Sequence, residues 1–173
     1  MKSRQLILGL SLSTLCYTAN VNAKDFIAKK VTTTKQVLDL ENPVFADAKI
    51  NSVYQHYIHL KTALVNNDLT EAENGTEMLN KALKVAGLTL KGMDAMIEAK
   101  EVKTKRAAFD ILSLGLTDIL KNSKIESGVV YKQFCPMANN GKGGNWLASE
   151  AKIQNPYYGK NMMGCGSVKE EIK

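Results

Sequence analysis

Apolar residues recur at helical intervals through the first two thirds of the chain beyond residue 42. Ile50, Val53, Tyr54, Tyr57, Ile58, Leu64 and Val65 fall on one face at spacings of three and four. Asn42-Pro43 reads as the start of this helix, because Asn can cap free amides and Pro is preorganised for a first turn. Asn66-Asn67-Asp68 ends it, so the pattern predicts a helix over residues 43–66. A second helix begins near Leu69, with Ala72, Met78, Leu79, Ala82, Leu83 and Ala86 as its buried face and Gly87 as its stop. Gly75 weakens its early turns. A short third segment over residues 89–99 offers Leu90, Met93, Met96 and Ile97. The charged residues 100–106 are either a break or the exposed face of a longer helix. Ala107, Ala108, Phe109, Ile111, Leu112, Leu116, Ile119 and Leu120 then form the strongest amphipathic run, ending at Asn122-Ser123. Three or four helices with short connections predict a mainly α fold, an antiparallel bundle.

The pattern changes after Ser127-Gly128. Val129, Val130, Tyr131 and Phe134 form a β-prone run with imperfect alternation. The Asn/Gly-rich residues 139–145 predict a loop, since so many glycines make regular structure costly. Trp146 and Leu147 return to an apolar setting, while Asn155-Pro156 and Tyr158-Gly159 are turn signals. Residues 167–173 are expected as a short strand beside the Val129 run. The bundle therefore carries a C-terminal irregular segment, residues 128–173, with a short β-ribbon, and residues 43–173 are expected to form one domain.

The start of the chain reads as an export signal. Lys2 and Arg4 precede an apolar stretch from Leu6 to Leu15, and Val21-Asn22-Ala23 suits a cleavage site. The stretch is too short to span a bilayer, and Leu15 is too large to precede a lipidated Cys16. Cleavage after Ala23, a flexible leader over residues 24–42, and a periplasmic or otherwise exported product without a transmembrane segment are the expectations. The formal net charge of the whole chain is +6. Its lysines are dispersed rather than clustered with aromatics, which excludes a nucleic-acid footprint. No Ser/His/Asp arrangement, P-loop, dinucleotide fingerprint or H-E-x-x-H motif is present, and the thiols are not Cys-x-x-Cys. Enzymatic activity is not expected.

Sulfur is the chemistry that stands out. Beyond the export signal the chain keeps two cysteines, Cys135 and Cys165. Cys135-Pro136-Met137 sets a thiol and a thioether two residues apart with Pro136 stiffening the link, and Met162 lies three residues before Cys165. Brought together, the two ends offer two thiolates and two thioethers, a donor set that suits Cu(I) over harder ions. The same pair can close a disulfide in an oxidising compartment. A loop of about 30 residues would then contribute roughly 3–4 kcal/mol in the chain-entropy account. Metal and disulfide both remain open on the residues alone. Met163 is expected to pack, and Trp146 to pack or to form a lid or floor of the site. His56 and His59, three apart on the first helix, can chelate only if a third ligand comes near, and an exposed pair is the simpler expectation.

The sequence resembles an uncharacterised bacterial family, domain of unknown function 3347. The residues that carry the resemblance are Cys135-Pro-Met-Ala138, Trp146-Leu147, Asn155-Pro156-Tyr157-Tyr158-Gly159 and Met162-x-x-Cys165-Gly166, with Leu60–Asp68 and Arg106-Ala-Ala-Phe-Asp-Ile-Leu-Ser113 upstream. It spans about residues 46 to 172. The resemblance implies an exported protein, stand-alone or fused to the periplasmic adaptor subunits of heavy-metal efflux pumps. It implies Cys135, Met137, Met162 and Cys165 as sulfur ligands, supported by Pro136, Trp146, Asn155, Pro156, Tyr157 and Gly159. Periplasmic Cu(I) binding or delivery follows as one expectation, and a disulfide-stapled module docking on an efflux or envelope protein as the other.

Overall fold

The computed structural model describes residues 42–173. The expected export signal and all but the last residue of the expected leader lie outside the described residues. The chain runs β1 (Val44–Phe45), α1 (Ala48–Asn66), α2 (Leu69–Ala86), α3 (Met93–Glu98), α4 (Val102–Lys121), β2 (Ile125–Ser127), β3 (Val130–Cys135), β4 (Gly144–Ala148) and β5 (Ser167–Ile172). The fold is mainly α, as the periodicity predicts, with a C-terminal sheet. One boundary is corrected. The first helix starts at Ala48 behind Asp47, whose carboxylate accepts from the Lys49 amide at 2.7 Å, and not at Asn42-Pro43. Residues 44 and 45 are instead drawn into an antiparallel pair with β2, Val44 opposite Ser127, which makes extended backbone the better use of those amides.

The α1–α2 hairpin follows its capping signals closely. Asn67 takes a left-handed conformation at φ 58° and Asp68 accepts from the Glu71 amide at 3.0 Å. One helix thus stops and the next starts within two residues. Gly75, the apparent weak point of α2, lies against α1: a Cβ there would sit 3.1 Å from the Leu60 Cα. Its missing side chain lets the two backbones approach. The charged stretch does break the helix, between α3 and α4. Lys105, buried on α4, donates to the Met96 carbonyl at 3.0 Å and so caps the short α3 from outside.

The C-terminal sheet is larger than the expected ribbon. Its order is β4-β3-β5, both pairings antiparallel, with Gln133 opposite Trp146 and Cys135 opposite Gly144 on one side and Phe134 opposite Ser167 on the other. The pairing of β3 with β5 shifts register between Lys132 and Gln133, an irregularity that accompanies the imperfect alternation of the β3 sequence. One continuous core joins Tyr54, Tyr57, Leu64, Phe109 and Leu112 of the helices to Val130, Trp146 and Leu147 of the sheet.

Candidate functional site

Cys135 closes β3 and is fully buried. Pro136 follows it, exposed, and ends the ladder because it has no amide to donate. Cys165 arrives from the other direction, two residues before β5. Its sulfur lies 2.8 Å from that of Cys135, so the two ends of the sulfur segment meet.

Asn155 fixes Cys165 on the β5 side. Its buried side chain donates from Nδ2 to the Cys165 carbonyl at 2.8 Å, while its Oδ1 accepts from the Tyr157 and Tyr158 amides at 2.8 and 3.3 Å. Its amide donates to the Met163 carbonyl, and the Cys165 amide donates to the Met162 carbonyl at 3.1 Å. Cys165 is therefore held through both of its peptide groups. An Asx-type turn at Asn155-Pro156 explains why those residue types occur there.

Two glycines beside the cysteines let their neighbours pack closely. Gly144 is opposite Cys135, and a Cβ on it would lie 2.6 Å from the Tyr157 ring. Gly166 has φ 141°, and a Cβ there would lie 2.8 Å from the Trp146 ring and 3.0 Å from the Phe134 carbonyl. Trp146 is fully buried and meets Tyr157 edge to face at 6.0 Å, so it is packed into the core. Burial raises the Tyr157 hydroxyl well above its ordinary pKa, with the nearby Cys135 adding to the shift. The Cys165 thiol is also raised, first by its hydrogen bond to Cys135 and then by desolvation. At neutral pH Cys165 therefore holds its proton.

The helices reach this segment through residues that read as ordinary surface or core. Arg106 on α4 donates from Nε to the Pro156 carbonyl at 2.7 Å and from Nη2 to the Leu64 carbonyl at 2.9 Å. It ties the end of α1 to the turn that carries Cys165. Four residues on, Asp110 Oδ1 accepts from the Asn145 amide and side chain at 2.7 and 3.1 Å, fixing the start of β4. Between them Phe109 stacks on Tyr57 at 5.1 Å and meets Tyr157 at 6.3 Å. The Tyr57 hydroxyl accepts from the Leu147 amide and pairs with Ser113, whose own hydroxyl donates to the Phe109 carbonyl. Lys61, buried, meets Glu150 at 2.7 Å. Gly159 packs so tightly on α1 that a Cβ would lie 2.6 Å from the Val65 carbonyl. Sequence reasoning left Arg106 and Asp110 without a role; their spacing of four around an aromatic was the available signal.

Met137 is half-exposed, its carbonyl accepting from the Tyr158 hydroxyl. Met162 and Met163 are partly exposed in the turn before Cys165. His59 pairs with Glu71 at 2.9 Å across the helical hairpin, and burial and His59 lower the pKa of His56. Among the described residues no group of three or more His, Cys, Asp or Glu side chains is placed to hold a metal. No described helix is long and apolar enough to cross a membrane.

Residues 53–128 match the model of a family described as "Protein of unknown function (DUF3347)". The match covers the helical part and ends before the Cys-Pro-Met and Met-x-x-Cys-Gly elements. No curated protein and no solved structure matches the chain.

Proposed function

Starting from a chain whose residues 53–128 belong to that family, we propose an exported, non-enzymatic protein that binds or delivers a soft metal ion, Cu(I) first, in heavy-metal efflux or homeostasis. The observation that carries the reading is the meeting of the Cys135 and Cys165 sulfurs at 2.8 Å across the end of β3. Two thiols with thioethers close by in sequence are soft donors, and Cu(I) is the ion such donors select. Tetrahedral zinc would need two further nitrogen, sulfur or carboxylate ligands. Two thiolates on one metal at about 2.3 Å each stand at most about 4.6 Å apart, so loading requires the pair to open by roughly 1–2 Å. Both backbones are held, Cys135 in the sheet and Cys165 by Asn155, so rotation of the two side chains supplies this movement. Met137 and Met162 are the auxiliary thioether donors.

A second reading is favoured by the same distance. Sulfurs at 2.8 Å are nearer than a shared metal holds them and need less than about 1 Å of closure to bond at about 2.05 Å. The protein would then be a disulfide-stapled module docking on an efflux adaptor or another envelope protein. Titration of the reduced protein with Cu(I) against a competing chelator separates the two. The metal reading expects one ion per chain, about 100-fold weaker binding in Cys135→Ser or Cys165→Ser, and about tenfold weaker binding in Met137→Leu or Met162→Leu. Affinity unchanged in both cysteine variants rejects the thiol pair as the metal site.

A further inference from the structure

We propose that the cleft between α4 and the turn at Ala138–Gly141 binds a small organic anion, a carboxylate with an apolar body. The proposal stands independently of what the thiols hold. The cleft encloses about 570 Å³, inside the range of about 300–1,000 Å³ in which small molecules are bound. Lys103, Arg106 and Lys142 line it against a single carboxylate, Asp110. Asp110 already serves Asn145 through one oxygen, and Arg106 is committed through Nε and Nη2 to the Pro156 and Leu64 carbonyls. Lys103 and Lys142 are exposed, and the ion pairs among the described residues are made by other lysines and by His59. Their two charges are therefore free to face an incoming anion.

The wall opposite α4 is preformed. Asn139 and Asn140 both hold left-handed backbone, at φ 52° and 59°, and Gly141 continues it at 81°. Consecutive residues in this region are rare outside glycine and cluster at functional sites. The Asn139 side chain donates to the Gly143 carbonyl at 2.9 Å and fixes the turn. Asn140 stays exposed beside Lys142, where its amide can donate to a ligand. Apart from Gly143 and Tyr158, the remaining surface is apolar. Ala107 and the half-exposed Ile111 come from α4, and the ring of Tyr157 from the turn that carries Cys165. A bare inorganic ion would engage the lysines and leave this surface in water. A carboxylate carrying a ring or a short chain uses both.

The test is an amide chemical-shift titration of the reduced full chain at low salt, where the charges are least screened. Benzoate, inorganic phosphate and benzylamine serve as separate probes. Benzoate is expected to saturate, moving the amides of Asn140, Lys142, Gly143 and Tyr158. Phosphate should bind at least tenfold more weakly, and benzylamine should not bind. Reversing both charges, Lys103→Glu with Lys142→Glu, should weaken benzoate binding at least tenfold. Should that variant fail to fold, the single changes Lys103→Gln and Lys142→Gln should each weaken it two- to threefold. No saturation, benzylamine binding as well as benzoate, or full affinity in the charge variants overturns the site. Phosphate binding as tightly as benzoate overturns the organic ligand.

Discussion

Gly166 decides how near Cys165 can come to Cys135. The backbone at Gly166 passes between the Trp146 ring and the Phe134 carbonyl with no room for a Cβ, in a conformation that disfavours side chains. Gly166→Ala should therefore displace Cys165 and destabilise the fold by about 2 kcal/mol, read by denaturant unfolding. It should also slow oxidation of the thiol pair. A second prediction concerns protons. Hydrogen bonding to Cys135 raises the Cys165 thiol, so the folded state keeps its proton longer than the unfolded chain does. The stabilising contribution is complete below the unfolded pKa and fades as pH rises through the folded one. Alkylation of Cys165 should accordingly begin at higher pH than for a free thiol, and Cys135→Ala should move the profile to lower pH. Under the proposed metal reading, Cu(I) would displace the Cys165 proton, so its affinity should rise with pH over that window.

At the scale of elements, α4 is the part that positions the sulfur segment. Arg106 holds two backbone carbonyls from different elements, Leu64 at the end of α1 and Pro156 in the turn. A hydrogen bond from a charged group contributes about 1.5–3 kcal/mol. Arg106→Ala, which removes two such bonds, should cost about 3–6 kcal/mol on that scale and lower the fraction of chains that close a Cys135–Cys165 bond. Arg106→Lys should recover little, since an ammonium does not reproduce the planar fork that reaches both carbonyls. Helix existence was legible from spacing because α1, α2 and α4 each bury one continuous face. The entry to α1 was not: Asn42-Pro43 satisfies every local rule for a helix start, yet pairing of Val44 with Ser127 (a partner more than eighty residues away in sequence) overrides it. β4 was equally hidden, since Gly144-Asn145-Trp146-Leu147-Ala148 shows no alternation and both of its faces are covered. Asn155 and the tyrosines that follow announced a turn, but nothing local says that the turn holds Cys165. Arg106 and Asp110 look like helix surface because the groups they bind belong to segments far along the chain.

At the scale of the described molecule, the helical segment and the C-terminal sheet share one hydrophobic core. The family match ends at residue 128, yet Tyr54, Tyr57, Lys61 and Asp110 within it have partners among Asn145, Leu147, Ser149 and Glu150. A chain truncated after Ser127 would expose Tyr57 and Phe109 and leave the buried Lys61 unpaired. It should lose its cooperative thermal transition and its near-ultraviolet circular dichroism. A truncated chain that kept both would show the sheet to be an appendage. The sulfur pair then sits where the two ends of this sheet-bearing segment are pinned by the helices, which is how thiols 30 residues apart share one point.

Peptide mapping of the full chain after mild oxidation, with the thiols that stay free alkylated before digestion, tests that convergence most directly. It also reports Cys16 separately wherever the export signal is retained. The structure predicts a single cross-linked peptide joining Cys135 to Cys165 within one monomer. Cys135 and Cys165 each recovered alkylated, or linked only between chains, would contradict it.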